Sequence, residues 1–195
     1  MKKIGIIPSI KETYKNQLEF SYDININNIL KSIYKKVKIY NLDFNANINS
    51  KIDLIIICGG NDLPFLKKNK ANLIRYNLSN TIFKKALKKN IPMIGICYGA
   101  QFIAYKFKSK FKKKKHVGNH KVYLKNENRF IKVNSYHNTI INYLGKKLIA
   151  KGIAEDKSIE YFTHKNKKIV GVQWHPERYK KIKKIDIKIL NSICI

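Results

Sequence analysis

The run Ile91-Pro92-Met93-Ile94-Gly95-Ile96-Cys97-Tyr98-Gly99-Ala100-Gln101 restricts the possible folds of this 195-residue chain more than any other segment. An apolar stretch of strand length passes without a linker into Gly-x-Cys-x-Gly, and residues 100–107 that follow suit a helix. A backbone can double back that sharply only where the residues flanking the bend lack side chains. The bend would present the Cys97 sulfur at the carboxyl end of a sheet and at a helix N-terminus, where unpaired N–H groups and the helix dipole favour thiolate. A cysteine packed in the core at a glycine-rich turn is the other reading of the same residues.

Further strand-like runs stand at residues 3–7, 37–41 and 53–58, besides 92–97. The middle ones are apolar without alternation, as in parallel strands covered on both faces. Between them, residues 23–35 carry Ile26, Ile29, Leu30 and Ile33 as one stripe, and residues 72–89 carry Leu73, Leu78, Ile82, Phe83 and Leu87 at helical spacing. Strand, helix, strand, helix, strand predicts an α/β domain with right-handed crossovers. The second half reads differently: short strands at 121–124 and 130–133 around a polar turn at 126–128, a hairpin of 158–163 and 168–173 around 164–167, and a last helix over 177–190. With no repeat and no Pro/Gly/Ser linker, residues 1–195 read as one domain.

Forty-one basic against 12 acidic residues give a formal charge of +29, which predicts attraction to anions. Yet 38 of the basic residues are Lys, and Lys, Asn and Ile together make 93 of the 195 residues. That is also the signature of adenine- and thymine-rich coding. Arginine, the residue that best matches phosphate and guanine edges, occurs only at Arg75, Arg129 and Arg178, and the one dense block is Lys112 to Lys115. No paired-Cys zinc pattern or glycine-rich phosphate loop followed by Lys-Ser or Lys-Thr is present, so no specific nucleic-acid partner is expected. No apolar run approaches the roughly 20 residues of a membrane span, and Lys11 and Glu12 interrupt the first one, so no membrane partner and a cytoplasmic location are expected. Cys58, Cys97 and Cys194 are odd in number and widely spaced, which fits a reducing compartment.

A nucleophilic Cys97 needs a base. Gly171-Val172-Gln173-Trp174-His175-Pro176-Glu177 offers His175 after a strand with a carboxylate two residues on, and Pro176 stiffens the link between them. The Tyr98 N–H is a natural oxyanion donor, and Gly59-Gly60, after the buried run 55–58, is a second close-approach loop at the same sheet edge. His137, in Val133-Asn134-Ser135-Tyr136-His137-Asn138, suits either substrate contact or a local hydrogen bond. His116 and His120 have the spacing of a helical metal pair, but Gly118 argues against a helix and no third ligand is local, so no metal is expected. His164 reads as solvated surface in a lysine-rich turn.

On Gly-Ile-Cys-Tyr-Gly-Ala-Gln around Cys97 and Gly-Val-Gln-Trp-His-Pro-Glu at 171–177, the chain resembles the class I glutamine amidotransferases and, within them, the γ-glutamyl hydrolase-like branch. The segments Gly59-Gly60-Asn61-Asp62-Leu63 and 133–138 resemble the free-standing hydrolases, and the group most resembled is the γ-glutamyl-CDP-amidate hydrolases of capsule phosphoramidate synthesis. Tyr98 stands where that branch commonly has Arg and is similar to GMP synthetase glutaminase domains. The resemblance implies a flavodoxin-like three-layer sandwich, a mostly parallel sheet with helices on both faces and extra antiparallel strands in the second half. It implies a Cys97–His175–Glu177 triad, an oxyanion hole from the Gly60 and Tyr98 backbones, and no cofactor. Substrate contacts would come from Gly59, Asn61, Gln101, Ser135, Tyr136 and His137, with Arg75, His116, His120, the lysine block and Lys121 as further candidates. The implied partner is a small γ-glutamyl amide, favoured as a nucleotide-linked one. The alternatives are a glutaminase subunit passing ammonia to a synthetase, a γ-glutamyl polyamine-pathway hydrolase, and a basic nucleic-acid-binding protein with a degenerate site.

Overall fold

The computed structural model describes every residue except 16, 47, 49–51 and 195, and the side chain of Cys194 also lies outside what it describes. In chain order the elements are β1 (Lys2–Ile7), β2 (Ser9–Tyr14), β3 (Gln17–Ser21), α1 (Asn25–Ile33), β4 (Val37–Asn41), β5 (Leu54–Ile57), α2 (Lys70–Lys88), β6 (Met93–Ile96) and α3 (Tyr98–Lys106). There follow β7 (Lys110–Leu124), β8 (Arg129–Tyr143), β9 (Leu148–Ala154), β10 (Ile159–His164), β11 (Ile169–Val172), a short 3-10 turn at Pro176–Arg178 and α4 (Lys184–Cys194).

The central strands are short because each is apolar on both faces, and alternate residues supply two separate cores. Ile4 and Ile6, Leu54 and Ile56, Ile94 and Ile96, and Val170 and Val172 face one core, where they meet Ile26 and Leu30 of α1 and Ile185 and Ile189 of α4. Ile7, Ile55, Ile57, Met93 and Ile169 face the other, against Leu78, Ile82 and Phe83 of α2 and Phe102 and Ile103 of α3. Helices thus cover both faces of this part of the sheet. Each fully buried isoleucine or valine contributes about 1.5–3 kcal/mol relative to exposure. Trp174, fully buried, ties α4 to the strand end by donating its indole N–H to Asp186 Oδ1 at 2.8 Å.

The nine-stranded sheet runs β4-β1-β5-β6-β11-β10-β8-β7-β9. The pairings from β4 to β11 are parallel, and every pairing beyond β11 is antiparallel. Here the expectation of a mostly parallel sheet is corrected. β9 pairs with β7 on one side and β10 on the other, so β10, β8, β7 and β9 close on themselves as a small ring. The short strands expected at 121–124 and 130–133 are the ends of two 15-residue strands. Five lysines in the rest of β7 and three asparagines in the rest of β8 belong to types depleted in sheets, and pairing along most of the two strands overrides that preference. The polar β2–β3 hairpin and β9 carry no signal that the sequence reading used. The expected helix over 177–190 splits at its start: Pro176 opens a 3-10 turn, and α4 begins only at Lys184. His164 closes the β10–β11 turn rather than standing free, its Nδ1 accepting from the Asn166 and Lys167 N–H groups at 3.0 and 3.1 Å.

Candidate active site

β6 ends at Ile96, and Cys97 takes φ 51° and ψ −104°, a strained conformation for a residue with a side chain. It is held there by its N–H donating to Val172 O at 2.8 Å and by its carbonyl accepting from Gln101 N at 3.0 Å, the first turn of α3. The flanking glycines are needed for close approach. A Cβ on Gly99 would lie 2.0 Å from Ile57 O, and one on Gly95 would lie 2.3 Å from the Gly99 carbonyl carbon. Burial and the negative Glu177 push the Cys97 thiol up to about 12, against the Tyr98 backbone N–H, which donates to the sulfur and pulls the other way. Desolvation thus works against the expected thiolate and against the helix terminus that favours it.

The residue expected as the base, His175, is 2% exposed. Its Nδ1 lies 2.6 Å from Glu177 Oε1, because the 3-10 turn at Pro176 folds the carboxylate back onto the ring. With Glu177 accepting, Nδ1 carries the proton and Nε2 is the basic nitrogen. The histidine backbone is clamped by Asn134 of β8: Asn134 Nδ2 donates to His175 O at 2.9 Å, and His175 N donates to Asn134 Oδ1 at 2.8 Å. The Tyr179 hydroxyl accepts from the Asn134 backbone N–H at 2.9 Å. Neither residue was singled out from the sequence; only the position of Asn134 next to Ser135 hinted at it. Tyr136 sets its ring edge-on to the imidazole at 5.4 Å and lies under the Arg178 guanidinium at 4.4 Å.

Gly59 and Gly60 follow β5 at the same edge. A Cβ on Gly59 would stand 2.8 Å from His175 Cε1 and 3.3 Å from Cys97 Cβ, so both side chains come close to this one glycine. Gly60 has φ +110°, which favours glycine. Over this loop opens a cleft of about 240 Å³ bordered by Ser9, Lys11, Gly60, His175, Glu177 and Arg178.

Several residues expected to contact substrate are buried or bonded within the protein. Arg75 is fully buried: it donates to Cys58 O at 3.0 Å, sits over the Tyr98 ring at 5.0 Å, and pairs with no carboxylate among the described residues. It braces the peptide before Gly59 instead of reaching solvent. Asn61 latches the loop to β2, accepting from Ile10 N and donating to Ile10 O, both at 2.9 Å. Gln101 is buried and donates to Thr139 O and Gln173 Oε1 at 3.0 and 3.1 Å, so its amide hydrogens are committed within the protein. Ser135 is fully buried. Lys112 to Lys115 lie exposed along β7, Lys114 bonds Asp156 at 2.7 Å, and Lys121 faces Glu155 at 3.9 Å; none borders the cleft.

The three histidines expected as substrate contacts, His116, His120 and His137, come together instead with a carboxylate. His116 and His120 share one face of β7, and His137 stands opposite His116 in register on β8. Around them lies Glu160 of β10, fully buried. Its carboxyl is raised by burial but held well below the ordinary range by the three imidazoles. A four-residue spacing places side chains on one face of a strand as well as of a helix. The third and fourth members are local in space and distant in sequence.

The family model described as glutamine amidotransferase class-I matches residues 17–191. The γ-glutamyl-CDP-amidate hydrolase of Campylobacter jejuni is 38% identical over 149 residues, 76% of this chain and 73% of that protein. A glutamine-hydrolyzing GMP synthase component from Methanococcus vannielii is 32% identical over 138 residues, 66% of each chain. Among solved structures, a GMP synthase component from Thermoplasma acidophilum superposes with a TM-score of 0.76 at 22% identity, covering 100% of this chain and 94% of that one.

Proposed function

The chain belongs to the class-I glutamine amidotransferase family, and from that premise we propose that it hydrolyses a γ-glutamyl amide through Cys97, His175 and Glu177. The observation that carries this reading is the close approach of the Cys97 and His175 side chains to Gly59, with Glu177 bonded to the far side of the imidazole. His175 Nε2 takes the thiol proton as sulfur attacks the γ-carbonyl, and the Glu177 carboxylate stabilises the imidazolium. The oxyanion is received by the Tyr98 and Gly60 backbone N–H groups. His175 returns the proton to the leaving nitrogen, then activates water against the glutamyl thioester, and glutamate departs.

For the leaving group, we favour a nucleotide diphosphoramidate, as in γ-glutamyl-CDP-amidate. The similarity to the Campylobacter jejuni hydrolase supports it, as do Lys11 and Arg178, which line the cleft together with Asp23 and Glu177 and offer positive charge to a diphosphate. The second reading is a glutaminase that passes ammonia to a synthetase, favoured by the similarity to the glutamine-hydrolyzing GMP synthase component. The test offers purified protein glutamine, a γ-glutamyl amine and γ-glutamyl-CDP-amidate. The expected result is the highest kcat/KM for the CDP-amidate. A strong preference for free glutamine, raised further by a synthetase, would establish the second reading instead.

A further inference from the structure

We propose that His116, His137 and Glu160 form a binding site for one divalent transition-metal ion of the zinc class. The cluster joins three strands of the antiparallel ring: β7, β8 and β10. The donor atoms of these three residues all lie within 4.8 Å of one another.

Their spacing suits ligands, although His116 Nδ1 also lies within hydrogen-bond reach of Glu160 Oε1. His116 Nδ1 stands 3.3 Å and His137 Nε2 3.6 Å from Glu160 Oε1. His120 Nε2 stands 3.7 Å from Glu160 Oε2. A charged N–H···O bond closes to about 2.7–2.9 Å. Donors held at about 2.1 Å around a tetrahedral zinc lie roughly 3.4 Å apart, close to the 3.3 and 3.6 Å between the two imidazoles and Glu160 Oε1. Neither ring nitrogen of His137 has a hydrogen-bond partner, and neither do Glu160 Oε2 and His120 Nε2, although all are buried atoms. Orphaned buried polar atoms are costly, about 1–3 kcal/mol each, and a metal ion would satisfy several at once.

The surroundings fit as well. His116 Nε2 lies 2.8 Å from Asp156 Oδ2, and Asp156 is in turn held by Lys114 at 2.7 Å and by the Ser158 hydroxyl at 2.6 Å. A carboxylate that accepts from the far nitrogen of a histidine fixes its tautomer and leaves the near nitrogen, Nδ1, as ligand. Two imidazoles and one carboxylate with a fourth position toward His120 match zinc, and cobalt(II) as its spectroscopic substitute, better than calcium or magnesium.

The test uses the full chain stripped with a chelator and then titrated with Zn2+, counting bound metal per chain and recording the melting temperature, without substrate. Binding of one ion per chain with a rise in melting temperature is expected. His137→Ala and Glu160→Gln should abolish it, while Cys97→Ser and His164→Ala should retain it. In the unmutated protein, Co2+ should give a visible spectrum without the sulfur-to-metal band that a cysteine ligand produces, a result that does not depend on any variant folding. The proposal is overturned if no stoichiometric ion binds, if His137→Ala and Glu160→Gln bind as well as the parent, or if loss follows Cys97→Ser or a sulfur band appears. Because the readout is metal content, failure of the hydrolase reading leaves this result untouched.

Discussion

The two halves of the sheet solve different problems with the same backbone. From β4 to β11 the strands are four to six residues long, parallel, and sealed on both faces by helices. From β10 to β9 they are antiparallel, up to 15 residues long, and polar on much of their surface. The first half generates sharp strand-to-helix turns, and one of these strains Cys97. The second generates long registers that bring distant residues face to face. The candidate active site lies on the seam: Cys97 and Gly59 come from the parallel half, Asn134 and Tyr136 from β8, and His175 follows β11, the strand where the parallel and antiparallel pairings meet. Precision at the nucleophile comes from the parallel half, and aim at the base comes from the antiparallel half.

The largest expected effect tests the nucleophile side. Gly59→Ala places a methyl 2.8 Å from His175 Cε1 and 3.3 Å from Cys97 Cβ. It should cut kcat by at least about 100-fold, since a displacement near 1 Å is enough for that, with little change in melting temperature. Unimpaired turnover would break the assignment of the seam as the site.

The antiparallel side should be softer. Asn134→Ala removes both bonds to the His175 backbone, and kcat should fall by about 10-fold with KM nearly unchanged. A larger loss than for Gly59→Ala would reverse the division of labour.

The smallest effect lies away from chemistry, behind β11. Burial raises the Asp186 carboxyl to about 6 from 3.8, even though Trp174 donates to it. Folding therefore favours the protonated form, and the group's contribution is full below pH 3.8 and fades as the pH rises through 6. Asp186→Asn keeps an acceptor for Trp174 and should stabilise the protein by about 3 kcal/mol at pH 8 and by almost nothing at pH 4. Thermal melts at the two pH values, with unchanged kcat, check it.

The same contrast explains what the sequence disclosed. The parallel half was legible because its constraints are local: continuous isoleucine runs, glycines on both sides of Cys97, and Pro176 between His175 and Glu177. Its helices α1 and α2 fall within two residues of the ranges read from their apolar stripes. The antiparallel half was not, because what defines it is pairing between segments. Nothing near Lys112 to Lys115 announces a strand, and Glu160 is an ordinary glutamate until β10 lies beside His116 and His137. Arg75, Asn61 and Gln101 were legible as special but not as supports, because burial and hydrogen-bond partners decide that role. The thiol differs for a related reason: a helix N-terminus, which favours thiolate, can be read from sequence, and the burial that opposes it cannot.

The central claim is that sulfur at Cys97 carries the glutamyl group. The most direct measurement is acid-quenched intact-mass analysis with peptide mapping during turnover of the best γ-glutamyl amide. One glutamyl adduct per chain, on Cys97 and never on Cys58, with turnover abolished in Cys97→Ala, is the expected result. Turnover that survives Cys97→Ala, with no adduct on the unmutated protein, would contradict it.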